Sequence, residues 1–500
     1  MRLAIIVVAA MSAAAVSSWA WAKNEAKGMT RMVRLNVAVA GSHGDAAPEL
    51  KADDLQVFDN GKEQKIEVFR RNEARQKGSA AVLKSGEVTN RLGNAPGQVT
   101  VILFDLLNTH MEDQGYVRGQ LLQALNKTEK TDSLYLYLLT IKGLQGVHGL
   151  PAPGEAAAAG TAPWTTDVAA KLDEAMQGVN RLGPQNDNMM PWDRVTATYK
   201  ALGSLLDEMG GIGGRKNLVW VTRGVPLEIG GQHPDWGTPA NFEPLLRQLS
   251  GQLDASGVAV YAVEAFGAGR EASSSVLQEV QTLDELAGMT GGKVYGDGNV
   301  GAALDDAGEA ARSSYVVGYY PPPGNWNGKL HKIKLKCSLK DVKLQAKTQY
   351  MAYALEASGG AEEQAAVRTA ADSAVDTDEI GLVGTAAPDA KEPAKTSIRV
   401  RIRAQDIILL EGGGKYRGEV SLTYVAYGTG GQKIMSRPLP VTIELSDAQR
   451  DEAMKDGIEA GHDIGFGSSV EKVRVIVFDN YSDAVGSVTL AFGGTTKAGG

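Results

Sequence analysis

The hydrophobic pattern of this 500-residue chain changes several times, and its first regular segment is typical of β structure. Residues 33–39 alternate apolar and polar side chains, and this period of two predicts a strand buried on one face. Apolar runs at 55–58 and 66–69 flank Asn60-Gly61, a pair that suits the positive φ angles of a tight hairpin turn. We therefore predict that these two runs form a β-hairpin.

From residue 98 onward, short continuous apolar runs alternate with segments of helical periodicity. Such runs are typical of parallel strands buried on both faces. The predicted strands cover residues 99–104, 134–141, 217–222, 258–263 and 293–295. The predicted helices between them cover residues 116–126, 168–179, 194–209, 242–256 and 276–289. This succession predicts a doubly wound α/β domain, whose ligands bind at the carboxyl ends of the strands.

Beyond residue 315 the pattern again predicts strands. Residues 332–337 and 342–346 alternate, and we interpret their outward lysines as protection of a sheet edge. Residues 357–393 contain few large apolar side chains, which predicts a flexible linker. Alternating runs broken by glycine-rich turns over residues 397–492 predict a β-sandwich.

The predicted fold class is therefore a doubly wound α/β domain combined with β domains and a C-terminal β-sandwich. The two β segments that flank the α/β domain are expected to pair with each other, so that the α/β domain is inserted between them. The predicted boundaries are a signal peptide at 1–22, a β segment at 23–71 that pairs with 329–355, a linker at 72–97, the α/β domain at 98–321, a β segment at 322–356, the flexible linker at 357–393 and the sandwich at 394–495.

The N-terminus predicts export. Arg2 is followed by an apolar stretch over residues 3–16, and Ala20-Trp21-Ala22 offers the small residues that a signal peptidase reads, so we expect cleavage after Ala22. Because later apolar runs fall short of the roughly 20 residues of a spanning helix, we expect a periplasmic or secreted protein with no membrane span in the mature chain.

Charge and composition narrow the function classes. The net charge of −8 argues against nucleic acid as a partner, and the single Cys337 excludes an internal disulfide and a multi-thiolate zinc site. The turn at 296–301 matches a dinucleotide-binding fingerprint, but it follows the last strand and lacks the acidic residue expected about 20 positions later. The six histidines are scattered singly, and we expect each to be a surface or capping residue.

The remaining candidate chemistry lies at the end of the first α/β strand, where Asp105 is followed by Thr109. Together with residues 50–61 (LKADDLQVFDNG), 214–220 (GRKNLVW) and 315–321 (YVVGYYP), this region resembles the von Willebrand factor A-related family of acidobacteria. The resemblance covers roughly residues 31–355 and implies a type A α/β domain with a metal-ion-dependent adhesion site.

The resemblance implies a magnesium site built on an Asp-x-Ser-x-Ser loop and a later aspartate. Asp105 and Thr109 match that pattern, but Leu107 replaces the first serine and Arg223 stands where the later aspartate belongs. We therefore expect no bound cofactor, and we hypothesise that Arg223 pairs with Asp105 in place of the metal. Magnesium remains an alternative, because the Asn108 amide offers another oxygen ligand.

The sequence thus predicts an exported, non-enzymatic protein that recognises a protein, matrix or envelope partner through a degenerate adhesion site. The residues predicted to contact the partner are Asp105, Asn108, Thr109 and Arg223. One alternative is a structural envelope component whose site is inert. Another is an enzyme that binds a nucleotide at the turn of residues 296–301.

Overall fold

The computed structural model describes most of the chain beyond the leader. The described residues are 30–41, 48–72, 83–84, 86–90, 99–127, 134–150, 169–174, 176–177, 191–210, 216–225, 228–229, 240–255, 257–266, 274–352, 360–372, 376–377, 379–388, 392, 395–428, 432–465, 470–481 and 484–491. The predicted signal segment and its cleavage site at Ala22 lie outside them. None of the described helices is long and apolar enough to cross a membrane.

A six-stranded mixed sheet forms the centre of the α/β domain. From one edge to the other its strands are Lys293–Tyr295, Val258–Glu264, Lys216–Thr222, Val99–Asp105, Leu134–Thr140 and Gly143–His148. All neighbouring pairs are parallel except the last, which is antiparallel. The direction of winding reverses between Val99–Asp105 and Lys216–Thr222, and the carboxyl ends of these two strands form the switch point where such sheets bind ligands.

Helices cover both faces of this sheet. They are Met111–Lys127, Pro191–Gly210, Glu243–Ala255, Ser274–Thr290 and Val300–Arg312, with further helical residues at 169–174 and 176–177. Side chains of one strand enter two cores: Val101 and Leu103 pack on one face, whereas Ile102 and Phe104 pack on the other. This burial on both faces explains why the strands read as continuous apolar runs.

A small β-sandwich joins the segments before and after the α/β domain. One sheet consists of Val342–Gln345, Val33–Gly41, Ser314–Tyr319 and Val68–Asn72, and the other of Gln349–Met351, Leu330–Cys337, Leu55–Asp59 and Lys62–Gln64. Leu35, Val37, Val57, Val317 and Ile333 are buried between the two sheets. The α/β domain is inserted between Val68–Asn72 and Ser314–Tyr319, which are neighbouring antiparallel strands.

The predicted hairpin is correct in its turn and wrong in its second strand. Asn60 and Gly61 have φ angles of 47° and 80°, as the turn requires. Leu55–Asp59 pairs with Lys62–Gln64, however, whereas Val68–Asn72 crosses to the other sheet and pairs with Ser314–Tyr319. The crossing places the side chain of Phe69 against Tyr315, with ring centroids 5.1 Å apart, and so buries an apolar surface that a longer hairpin would leave outside this core.

The C-terminal region is a second β-sandwich. One sheet contains Thr30–Arg31, Leu410–Gly412, Lys415–Gly428, Lys433–Met435, Leu439–Ser446, Val470–Asp479 and Val485–Ala491. The other contains Ile458–Ile464, Thr396–Ile402, Leu382–Pro388 and Val88–Thr89, and the helix Asp447–Asp456 connects the two sheets. The chain is thus a multidomain protein that combines one α/β domain with antiparallel β-sandwiches.

Both segments predicted as linkers contain regular structure. Within residues 357–393 lie the helix Gly360–Asp372 and the strand Leu382–Pro388, and within 72–97 the strand Val88–Thr89 pairs with residues 383–384. The helix was missed because its buried face consists mainly of small residues: Val367, Ala370 and Ala371 pack against Ile476, Phe478 and Val485. Alanine contributes little to average hydrophobicity but packs closely on a sheet.

Candidate functional site

The carboxylate of Asp105 lies at the switch point of the central sheet and is fully buried. Its Oδ1 accepts a hydrogen bond from the Asn108 backbone N–H at 3.0 Å. Its Oδ2 accepts from Asn108 Nδ2 at 2.8 Å, Thr222 Oγ1 at 2.8 Å and Trp220 Nε1 at 3.2 Å. Two parallel strands and the loop between strand and helix are therefore joined through one side chain.

Asn108 extends this network to a helix. Its Nδ2 also donates to Thr198 Oγ1 at 2.8 Å, and Thr198 in turn donates to the backbone carbonyl of Arg194 at 2.8 Å. Burial raises the pKa of Asp105, while the hydrogen bonds from Asn108, Thr222 and Trp220 oppose that rise. The network thus fixes the N-terminal half of the helix Pro191–Gly210 relative to the central strands.

The donor set around Asp105 does not fit a magnesium ion of the adhesion-site type. Such a cation needs several free oxygen ligands, but both oxygens of Asp105 accept hydrogen bonds from N–H and O–H groups. Leu107 is buried in the core and offers no donor atom. Thr109 is also buried, and its hydroxyl has no hydrogen-bond partner among the described residues. One orphan hydroxyl does not make up for the missing ligands.

The hypothesis that Arg223 pairs with Asp105 in place of a metal is wrong. Arg223 Nη1 lies 3.8 Å from Asp113 Oδ2, and its guanidinium lies 4.8 Å from the ring centroid of Phe266. The hypothesis was wrong because neutral donors already satisfy Asp105, whereas the buried carboxylate of Asp113, in the first turn of the next helix, is available as a partner.

Three of the four residues predicted to contact a partner are buried: Asp105, Asn108 and Thr109. Asp105 and Asn108 stabilise the strand end from within, because their polar atoms take part in the buried network. The Arg223 side chain is 13% exposed, so only a small part of it reaches the surface. Most of the residues predicted to contact a partner therefore lie beneath the surface at this strand end and are not part of it.

The surface at this strand end carries residues that the sequence reasoning missed. Met111, Tyr116 and Trp192 are 58%, 38% and 53% exposed, and all three lie near the N-termini of helices that begin at this edge of the sheet. Trp192 packs edge-on against Phe242 with ring centroids 5.3 Å apart, which holds the indole in place. The sequence could have indicated these residues, because each is a large apolar residue near the start of a helix that follows or faces the end of a strand.

Positive charge accompanies these apolar side chains. Burial lowers the pKa of His110, and the charges of Arg223 and Arg194 lower it further, whereas the charges of Asp113 and Glu112 oppose this shift. The buried Nε of Arg194 has no acceptor within the described part of the chain. We use the name strand-end face for Met111, Tyr116, Trp192, Arg194 and Arg223.

The glycine-rich turn at 296–301 is a helix cap beside carboxylates. The side chain of Asn299 accepts from the N–H of Ala302 and caps the helix Val300–Arg312, and the Gly298 N–H donates to the Glu264 carbonyl at 2.9 Å. Burial raises the pKa of Glu264, and the charges of Asp284 and Asp297 raise it further. A pyrophosphate would meet this negative charge, and the Gly298 N–H is already engaged.

One histidine departs from the expected surface position. His331 is buried, and its Nδ1 lies 2.8 Å from Asp59 Oδ1. Tyr350 and Tyr319 donate to Asp59 Oδ2 at 2.8 and 3.2 Å. The surface prediction failed because the alternating strand that carries His331 turns this position into the core of the small sandwich.

Two of the three comparisons with known proteins give no match. No protein-family model matches the chain, and no curated protein matches it. Among solved structures, the open conformation of the pilus adhesin SpaC from Lactobacillus rhamnosus GG is similar with 10% sequence identity and a TM-score of 0.24. The match covers 82% of this chain and 56% of the adhesin, so the chain spans little more than half of that protein's length.

A TM-score at this level carries no information about function. The mixed sheet with helices on both faces is itself consistent with a von Willebrand factor A-like α/β domain.

Proposed function

We propose that this chain is an exported, non-enzymatic recognition protein that binds a protein partner of the cell envelope or its surroundings through the strand-end face. The observation that carries the proposal is that exposed Trp192, Met111 and Tyr116 lie near the N-termini of two helices that begin at the edge of the sheet where Arg223 follows a central strand. Tryptophan, tyrosine, methionine and arginine are the residue types enriched at protein interfaces, and the first two and arginine dominate their binding energy.

The geometry supports recognition of an acidic group on the partner. Arg223 lies 3.8 Å from Asp113 and over the ring of Phe266, and its guanidinium is of the kind that binds a carboxylate through two parallel hydrogen bonds. Arg194 adds a second positive charge, which like that of Arg223 lowers the pKa of His110. The apolar side chains around these groups would exclude water and strengthen such a pair.

We further infer that a divalent cation is not needed for this binding. Calorimetric titration of the purified chain with Mg²⁺ and Mn²⁺ tests this inference, with Asp105→Ala as the control. We expect no saturable heat. Submillimolar binding that disappears in Asp105→Ala would restore the metal-dependent mechanism.

A capture experiment tests the proposed face. The immobilised processed chain is incubated with an envelope fraction, and bound proteins are quantified for the parent, Trp192→Ser, Arg223→Glu and Ile434→Ser. Ile434 is a matched control because it is 71% exposed but lies on the C-terminal sandwich.

Loss of an interface anchor typically costs at least 2 kcal/mol, so we expect the first two variants to lose a specific partner by about thirtyfold while the control retains it. Equal capture by all four proteins would show that the face is inert and would favour a structural role.

A further inference from the structure

Positive charge is concentrated in one short stretch of an otherwise acidic chain. Residues 329–347 contain seven lysines and a single acidic residue, Asp341, although the whole chain has a net charge of −8. The remainder is therefore more acidic than the total indicates. Such segregation orients a protein toward a negatively charged surface, because one side is attracted while the rest is repelled.

Three of these lysines form a row on the outside of the small sandwich. Lys332, Lys334 and Lys336 are exposed and alternate with His331 and Ile333, which are buried. Alternate residues of a strand lie about 6.7 Å apart on one face, so the three ammonium groups extend along a line of roughly 13 Å. We call these residues the lysine row.

Edge protection does not account for Lys332, the first lysine of the row. The strand Leu330–Cys337 lies inside its sheet, since Leu55–Asp59 pairs with it on one side and Gln349–Met351 pairs with its first part on the other. Lys332 itself is paired with Gln349 across the strand boundary. The earlier interpretation of these lysines as guards of an edge is therefore wrong for Lys332, and the row belongs to the open face of the sheet.

The neighbours of the row leave its charge available. Phe58 lies opposite Lys334, and its ring centroid is 4.6 Å from Lys336 Nζ. Glu63 is the acidic residue across from Phe58 on the next strand, and it accepts a hydrogen bond from Gln56 at 3.0 Å. No ion pair joins the three lysines to a carboxylate within the described residues.

The arrangement of the lysine row favours binding to an extended anionic surface over binding to one small anionic ligand. Lysine presents a hydrated point charge and lacks the bidentate fork that selects one carboxylate or phosphate. Leu330, 37% exposed at the start of the strand, adds an apolar side chain beside the charges. We propose that the lysine row docks this protein on the phosphate headgroups of an anionic lipid bilayer, as a peripheral contact that leaves the strand-end face free.

Vesicle co-sedimentation of the processed chain tests the proposal. The vesicles are phosphatidylcholine alone or with about 30 mol % phosphatidylglycerol, and each lysine near an anionic leaflet is expected to contribute about a factor of five to binding. The triple variant Lys332→Gln, Lys334→Gln, Lys336→Gln should therefore lose about a hundredfold in partition. A control triple variant, Lys127→Gln, Lys415→Gln, Lys455→Gln, removes the same charge elsewhere and should bind like the parent.

Circular dichroism establishes that both triple variants are folded. Binding to phosphatidylglycerol vesicles that falls with added salt and is lost only in the row variant supports the proposal. Equal loss in both triple variants, or no binding by the parent, overturns it. Binding of the parent to a soluble anionic polysaccharide without binding to vesicles also overturns it, because the partner would then be a different polymer.

Discussion

Replacing Asp105 by alanine is expected to loosen the whole strand end, because the carboxylate serves four buried donors at once. The substitution leaves the Asn108 N–H and Nδ2, the Trp220 indole and the Thr222 hydroxyl without their acceptor. Each unsatisfied buried donor costs about 1–3 kcal/mol, but the costs are not additive within one network. Since Asn108 Nδ2 retains Thr198, we expect a total loss of about 3–5 kcal/mol in the stability of the central domain.

Hydrogen exchange followed by mass spectrometry reads this loss locally, without interference from the two sandwiches. Peptides that contain Val99–Asp105 and Lys216–Thr222 should exchange at least a hundredfold faster in Asp105→Ala, since about 1.4 kcal/mol corresponds to a factor of ten.

Asp105→Asn provides the graded comparison. It keeps one oxygen for the three donors at Oδ2 but sets its own amide against the Asn108 N–H, which should cost about 1–3 kcal/mol. If both variants exchange within threefold of the parent, the network does not hold the strand end and the account of Asp105 as a structural residue is refuted.

Two further predictions concern the surroundings of the site and the segment predicted as a linker. His110 should titrate below its ordinary value of about 6.5 in an NMR titration, with the other histidines as internal controls, and Arg223→Gln should raise its midpoint. Because the folded state opposes protonation of His110, its contribution to stability is present above about pH 6.5 and is lost as the pH falls below that value. A titration midpoint of His110 that is unchanged in Arg223→Gln would contradict the proximity of His110 and Arg223. Asp376→Ala should remove the carboxylate that pairs with the buried guanidinium of Arg474 and so loosen the helix that ends at Asp372, at a cost of about 2 kcal/mol, so that limited proteolysis in this helix accelerates roughly thirtyfold. Asp372→Ala changes an exposed carboxylate of the same helix and should leave the cleavage rate near that of the parent. Equal cleavage rates in all three proteins would contradict the proposed role of Asp376 in holding this helix.

The central sheet was predictable because its strands are buried on both faces. The predicted runs at 134–141 and 258–263 lie within one residue of the observed Leu134–Thr140 and Val258–Glu264. The edge strand Gly143–His148 was not predicted, since two glycines and half-buried side chains give it no continuous apolar run and no regular alternation. The local hydrophobic pattern therefore identifies strands that are completely buried. It misses an edge strand that forms only because it pairs with a neighbouring strand.

The position of the candidate site was predictable, but its contacts were not. The end of a buried strand located Asp105, because polar residues at a switch point follow from the topology alone. Its partners Trp220 and Thr222 lie 115 and 117 residues away, and no local pattern marks them. The same limit applies to Arg223, whose partner Asp113 becomes a neighbour only when the two strand ends meet.

The two residues that define the degenerate site affect recognition by different routes, and this difference yields a last prediction. Arg223 contributes charge at the surface, so Arg223→Gln should reduce partner capture while exchange in Val99–Asp105 stays at the level of the parent. Asp105 is buried and acts through Asn108 and Thr198 on the N-terminal half of the helix that presents Trp192. Asp105→Ala should therefore reduce capture and accelerate exchange together. If Asp105→Ala abolishes capture while exchange is unchanged, the carboxylate must act directly on the partner or on a bound cation, and the assignment of recognition to the surface residues would be wrong.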